Sequence, residues 1–258
     1  MKKAFHPLVI GNWKMNPLSM TAATKLYKSV IAGVSRTTGV AVVVTPPALY
    51  LLPLAKLSKS KKVTIGAQNA YWGNIGAHTG EISCAMYTQI PVSHVIVGHS
   101  ERRAEGETDA MVNKKVHATL KAGITPVVCV GEAKRDTHGR YFGHIETQVI
   151  EACRGVTKSR MSSMVFAYEP IWAIGTGNTA TPGDAHEMKL FIQKVLVGLY
   201  GRNVAAKVKI LYGGSVNPKN AAALMEDGQI DGFLVGGASL RAQDFIAIVN
   251  TARTYGTE

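Results

Sequence analysis

Eight times along the sequence, a short run of β-branched and other apolar residues is followed by a longer stretch of helical periodicity. The runs begin near Leu8, Val40, Val63, His94, Thr125, Val165, Val208 and Gly232. From Val40 to Val44 and from Thr125 to Val130 the apolar residues sit at consecutive positions and do not alternate with polar ones. A strand with one wet face alternates, whereas a strand apolar on both faces must be covered on both, which predicts a parallel sheet sheathed in helices. Helices are expected between the runs, for example over Ser19 to Ile31, Asp109 to Ala122, Asp184 to Leu199, Asn217 to Met225 and Ala242 to Ala252. Pro47 and Pro218 stand where a first helical turn would begin, and Gly123 and Gly201 follow the ends of helical segments. No Pro-, Gly- or Ser-rich linker divides the 258 residues. Eight regular repeats therefore favour one domain over residues 1–258, a (β/α)8 barrel of eight parallel strands surrounded by helices, over an open doubly wound sheet.

Composition narrows the class of function. An apolar share of 46% with 18% charged residues is that of a folded protein and excludes a disordered one. Cys84, Cys129 and Cys153 are odd in number, widely spaced and without a C-x-x-C pair, so they read as reduced, buried thiols that hold neither disulfide nor zinc. The apolar run Leu8-Val9-Ile10 is broken at once by Gly11, Asn12 and Lys14, unlike a signal peptide. No stretch approaches the roughly 18 apolar residues of a membrane span, so a soluble cytoplasmic protein is expected. The net charge of +12 raises a rival reading, a basic protein binding nucleic acid or an acidic surface. The densest basic run, Lys56, Lys59, Lys61 and Lys62, has no interleaved aromatic to stack on bases, so it reads as a solvated face and no nucleic acid is expected. The basicity also suits a phosphorylated substrate carrying roughly two negative charges.

In a barrel of this kind the residues just after each strand gather at one rim. After the first run comes Gly11-Asn12-Trp13-Lys14, an amide and an ammonium at that rim. After the fourth comes Gly98-His99-Ser100-Glu101-Arg102, where a backbone donor beside the imidazole would keep His99 neutral and able to donate. The sixth delivers Glu169, a carboxylate that is costly at the end of a buried strand unless paired or used. The following Pro170 to Gly177, with an apolar tip between proline and glycine, looks like a lid that excludes water. The last two runs end in Tyr212-Gly213-Gly214-Ser215 and Val235-Gly236-Gly237, paired glycines that let backbone N–H groups approach an anion where barrels often bind phosphate.

These ordered motifs carry a resemblance: along nearly its whole length the sequence is similar to the triosephosphate isomerase family. The resemblance implies that Glu169 takes a proton from carbon, that neutral His99 polarises a carbonyl, and that Lys14, with Asn12 beside it, stabilises the enediolate. It places Glu101 in the supporting network and the backbone of Gly175, Ser215, Gly236 and Gly237 on the phosphate, with no metal or organic cofactor. The implied substrates are the small phosphorylated trioses dihydroxyacetone phosphate and D-glyceraldehyde 3-phosphate. The segment Gln68 to Glu81 looks like the family's protruding interface loop, implying a homodimer. Two departures stand out. Asn178 occupies a hinge position that is usually lysine, and His78 stands where phenylalanine is common, so that the dimer is expected to respond to acid. Another phosphate-binding barrel isomerase would share the glycine loops but not Glu169 with its lid, and a basic binding protein on the same fold would need none of Asn12, Lys14, His99 and Glu169.

Overall fold

The computed structural model describes residues 5–57, 62–173 and 180–256. Eight parallel strands, β1 (Leu8–Asn12), β2 (Ala41–Thr45), β3 (Val63–Ala67), β4 (Val92–Val97), β5 (Thr125–Val130), β6 (Val165–Tyr168), β7 (Lys209–Tyr212) and β8 (Gly232–Val235), pair in chain order and close into a barrel. Closure is made by β8 against β1, with Leu8 opposite Gly232 and Ile10 opposite Leu234.

The unbroken apolar runs are explained by two concentric cores. Leu8, Ile10, Val43, Ile96, Val127, Cys129, Val165, Ala167, Leu211 and Leu234 form one buried cluster. Their sequence neighbours, such as Val9, Val42, Val44, Val97, Val128, Phe166, Ile210 and Phe233, belong to a second and larger one shared with the helices. Because side chains alternate along a strand, the first set fills the barrel and the second faces outward.

The helices meet the expected spans with instructive differences. Met20–Gly33 is capped by Ser19, whose side chain accepts from the Ala22 N–H, and Asp109–Lys121 and Ala242–Arg253 lie where periodicity put them. Pro182–Tyr200 starts two residues earlier than expected, since Thr181 and Asp184 form a capping box with Pro182 in the first turn. The helix expected from Asn217 begins only at Ala221, because the Asn217 side chain accepts from the N–H groups of Lys219 and Asn220 and folds a turn of its own. Strand β4 begins at Val92, ahead of His94. Among the described residues no helix is long and apolar enough to cross a membrane.

Candidate active site

Continuing each inward column to the end of its strand or one step past it gives the floor of a cleft. After Ile10 comes Asn12, after Ala167 comes Glu169, after Leu211 comes Gly213 and after Leu234 comes Gly236. Asn12, Lys14, His99, Glu169, Ser215, Gly236 and Gly237 all line this one cleft, of about 290 Å³, with Gly213, Gly214, Asn217 and Arg241. Glu101 does not line it but stands behind two of these residues, and Gly175 and Asn178 lie outside the described residues.

Glu169 is 2% exposed and still carries a carboxylate, so its donors decide its geometry. The Ser100 N–H donates to Oε2 at 2.8 Å, and His99 Nε2 stands 3.0 Å from Oε1. The Glu101 N–H donates to His99 Nδ1 at 3.2 Å, which leaves the ring proton on Nε2, aimed at the carboxylate. Burial first, then the charge of Glu169, push the Cys129 thiol well above the usual thiol range. Room for the backbone and side-chain stem of Glu169 is made by two flanking glycines. A Cβ on Gly131 would fall 1.9 Å from the Glu169 carbonyl oxygen, and one on Gly213 would fall 3.0 Å from its Cγ.

Lys14 sits across the cleft in a left-handed conformation, φ 51°, which costs a non-glycine residue about 1–3 kcal/mol. Three bonds hold it there: its N–H donates to Asn12 Oδ1 at 3.0 Å, its carbonyl accepts from Gln68 Nε2 at 2.8 Å, and Nζ meets Glu101 Oε1 at 2.7 Å. Gln68 Nε2 also donates to the Thr45 carbonyl at 2.8 Å, tying the turn after β1 to the end of β2. Since Asn12 spends its oxygen on Lys14, its amide N–H groups remain for the cleft.

Beyond Glu169 the chain leaves the sheet, and Ile171–Ala173 forms a single 3-10 turn. Buried Glu132 Oε1 accepts from Tyr168 Oη at 2.8 Å, Trp172 Nε1 at 2.9 Å and Arg135 Nε at 2.9 Å, anchoring both sides of Glu169 to the end of β5. Burial first and the charge of Glu132 second raise the Tyr168 phenol above its usual range, so it stays a donor. Among the described residues no group of three or more His, Cys, Asp or Glu side chains is arranged to hold a metal ion.

The arrangement sets a carboxylate, a ring N–H and an ammonium around one space, with glycine loops at its end. That set suits removal of a proton from carbon next to a carbonyl in an anionic substrate. The sequence alone missed Gln68 as a clamp on Lys14, the glycine at 131, Cys129 and Arg241. For two of these, Cys129 and Gly131, the one available signal was their parity with inward-facing Val127 along β5.

The family described as Triosephosphate isomerase matches residues 7–252 of the chain. The triosephosphate isomerase of Thermoanaerobacter sp. (strain X514) is 47% identical over 246 residues, spanning 95% of this chain and 98% of that protein. That of Chloroflexus aurantiacus is 46% identical over 247 residues, 95% of this chain and 98% of its own. That of Carboxydothermus hydrogenoformans is 45% identical over 245 residues, 94% of this chain and 97% of its own.

Proposed function

The chain belongs to the triosephosphate isomerase family and interconverts dihydroxyacetone phosphate and D-glyceraldehyde 3-phosphate, and on that premise we propose how its residues divide the work. Glu169 is the base that removes the proton from carbon 1 of dihydroxyacetone phosphate. As that C–H bond breaks, its electron pair forms the double bond of an enediolate and the carbonyl π pair moves onto the oxygen of carbon 2. His99, donating through Nε2, and Lys14 stabilise that oxygen, and Asn12 supports them. Glu169 then returns the proton to carbon 2, the hydroxyl proton of carbon 1 passes to the other oxygen, and the aldehyde forms. Ser215, Gly236 and Gly237 grip the phosphate, with Gly175 expected to join them, and Glu101 holds Lys14.

One observation carries this reading, the facing of Glu169 and His99 Nε2 at 3.0 Å over a barrel interior that excludes water. In this arrangement both carboxylate oxygens are engaged by donors, so Glu169 exchanges at least one of them for the substrate's C–H as it acts. The test is proton NMR in D₂O with dihydroxyacetone phosphate. The wild type incorporates deuterium as it isomerises, and Glu169→Gln keeps its fold but loses about 10²–10⁴-fold in turnover. Near-normal turnover of that variant would remove Glu169 from the role of base.

A homodimer through Gln68 to Glu81 is part of the same proposal. Of the eight exposed large apolar side chains among the described residues, six, Met15, Leu18, Leu49, Leu52, Ile75 and Met86, belong to segments that follow β1, β2 or β3, and the other two, Leu190 and Leu199, lie on the helix Pro182–Tyr200. An apolar arc over three adjacent units of the barrel is the kind of surface that a partner covers. The loop is braced to present it: Tyr71 stacks on Trp72 and packs at a tilt against His78, each with ring centroids 4.2 Å apart. Closure of β8 on β1 supports reading residues 1–258 as one barrel domain. A cytoplasmic location is supported by three free, buried cysteines.

A further inference from the structure

Three of the side chains lining the cleft are charged. Lys14 and Glu169 belong to the machinery above, and Arg241 does not. Arg241 stands where the 3-10 turn Gly237–Leu240 hands over to the helix Ala242–Arg253. It therefore shares the phosphate end of the cleft with Gly236, Gly237, Ser215 and Asn217. Its Nε donates to Asp244 Oδ2 at 2.5 Å, and its side chain is 66% exposed. With Nε spent there, the two terminal nitrogens hold the remaining donors of the planar fork that suits a phosphate.

The charges around the cleft leave Arg241 a distinct task. Lys14 is matched by Glu101 at 2.7 Å, and Glu169 repels an incoming dianion. Backbone N–H groups hold an anion at contact but reach little beyond it, whereas a guanidinium acts over a Debye length, about 10 Å at 0.1 M salt.

We propose that Arg241 recruits the phosphate group of the substrate at the rim of the cleft and selects for its charge, and that Asp244 tempers this by competing for the same guanidinium. The inference deepens the reading above and rests on its placement of the phosphate. Because the side chain is mostly exposed, its effect falls on encounter and KM more than on kcat.

The experiment compares kcat, KM for D-glyceraldehyde 3-phosphate and competitive inhibition by inorganic phosphate in the wild type, Arg241→Gln, Arg241→Lys, Asp244→Asn and Lys28→Gln. Lys28 is an exposed cation on the helix Met20–Gly33, and its loss changes net charge equally without touching the cleft. All are measured at ionic strengths of about 20 mM and about 500 mM, where screening is weak and strong respectively. Arg241→Gln is expected to raise KM and the phosphate Ki together by about 2- to 5-fold at low salt, as for an exposed ion pair, with kcat moving less and the difference vanishing at high salt. Arg241→Lys keeps most of the effect, Asp244→Asn lowers both constants, and Lys28→Gln leaves them in place. The proposal is overturned if Arg241→Gln matches the wild type in KM and Ki at low salt, or if Lys28→Gln shifts them as much. If phosphate does not compete with substrate in the wild type, the phosphate placement itself fails, and the proposal fails with it.

Discussion

Among the described residues Lys14 is one of two non-glycine residues held at positive φ, the other being Gln229, and Gln68 is the residue that keeps Lys14 there, with one amide nitrogen bonded to both the Lys14 and Thr45 carbonyls. Gln68→Ala removes both bonds while the left-handed strain remains. We expect it to lower stability by about 1–3 kcal/mol and kcat by about 10- to 100-fold as Lys14 relaxes out of position. Chemical denaturation and steady-state kinetics on the same preparation check this, and unchanged kcat would show that Lys14 holds its conformation without the clamp. The contrast marks what a sequence discloses at this scale. Asn12, Lys14, His99 and Glu169 were legible because chain position alone puts them at or just past the end of a strand. Gln68 acts on a residue 54 positions away, and that meeting exists only once β1, β2 and β3 are in register. Nothing in the sequence sets Arg241 apart from other cations, and only the turn after β8 places it on the cleft.

The strands were the most readable elements, since burial on both faces leaves apolar residues at every position, and seven of the eight begin within one residue of where the runs begin. Boundaries set by side-chain capping were less so. Asn217 makes a turn where periodicity alone continues a helix, and the Thr181–Asp184 box starts one earlier than periodicity does. The long connection after β3 was readable only through its resemblance to an interface loop. Its tip residue Ile75 is 89% exposed, a poor place for isoleucine in a lone subunit. At micromolar concentration we expect a dimer in sedimentation equilibrium, and Ile75→Asp should weaken it by about tenfold or more, as for the loss of an apolar anchor. A fully active wild-type monomer at that concentration would sink the interface assignment.

At the scale of the whole molecule the barrel has a catalytic end and an opposite mouth, and the latter holds a histidine that contributes to acid stability. His94 lies low on β4, its Nδ1 2.9 Å from Ser93 Oγ, and desolvation lowers its pKa to about 4. The folded chain thus keeps His94 neutral where the unfolded chain protonates it, near 6.5, so its contribution is whole above that value and is lost as pH falls from about 6.5 to about 4. Urea unfolding at pH 7 and pH 4.5, at one protein concentration, should show His94→Asn losing about 2–3 kcal/mol less than the wild type between the two. Equal losses would mean that the imidazole is solvated at both pH values. The closed ring with its two concentric cores has one more consequence. A slip of one residue in any strand would exchange its inward and outward side chains, and in β6 it would turn Glu169 away from the cleft. Turnover is therefore a census of ring closure: a refolding yield measured by activity counts only those chains whose eight strands have locked at the correct offset, and passes over any that are merely compact.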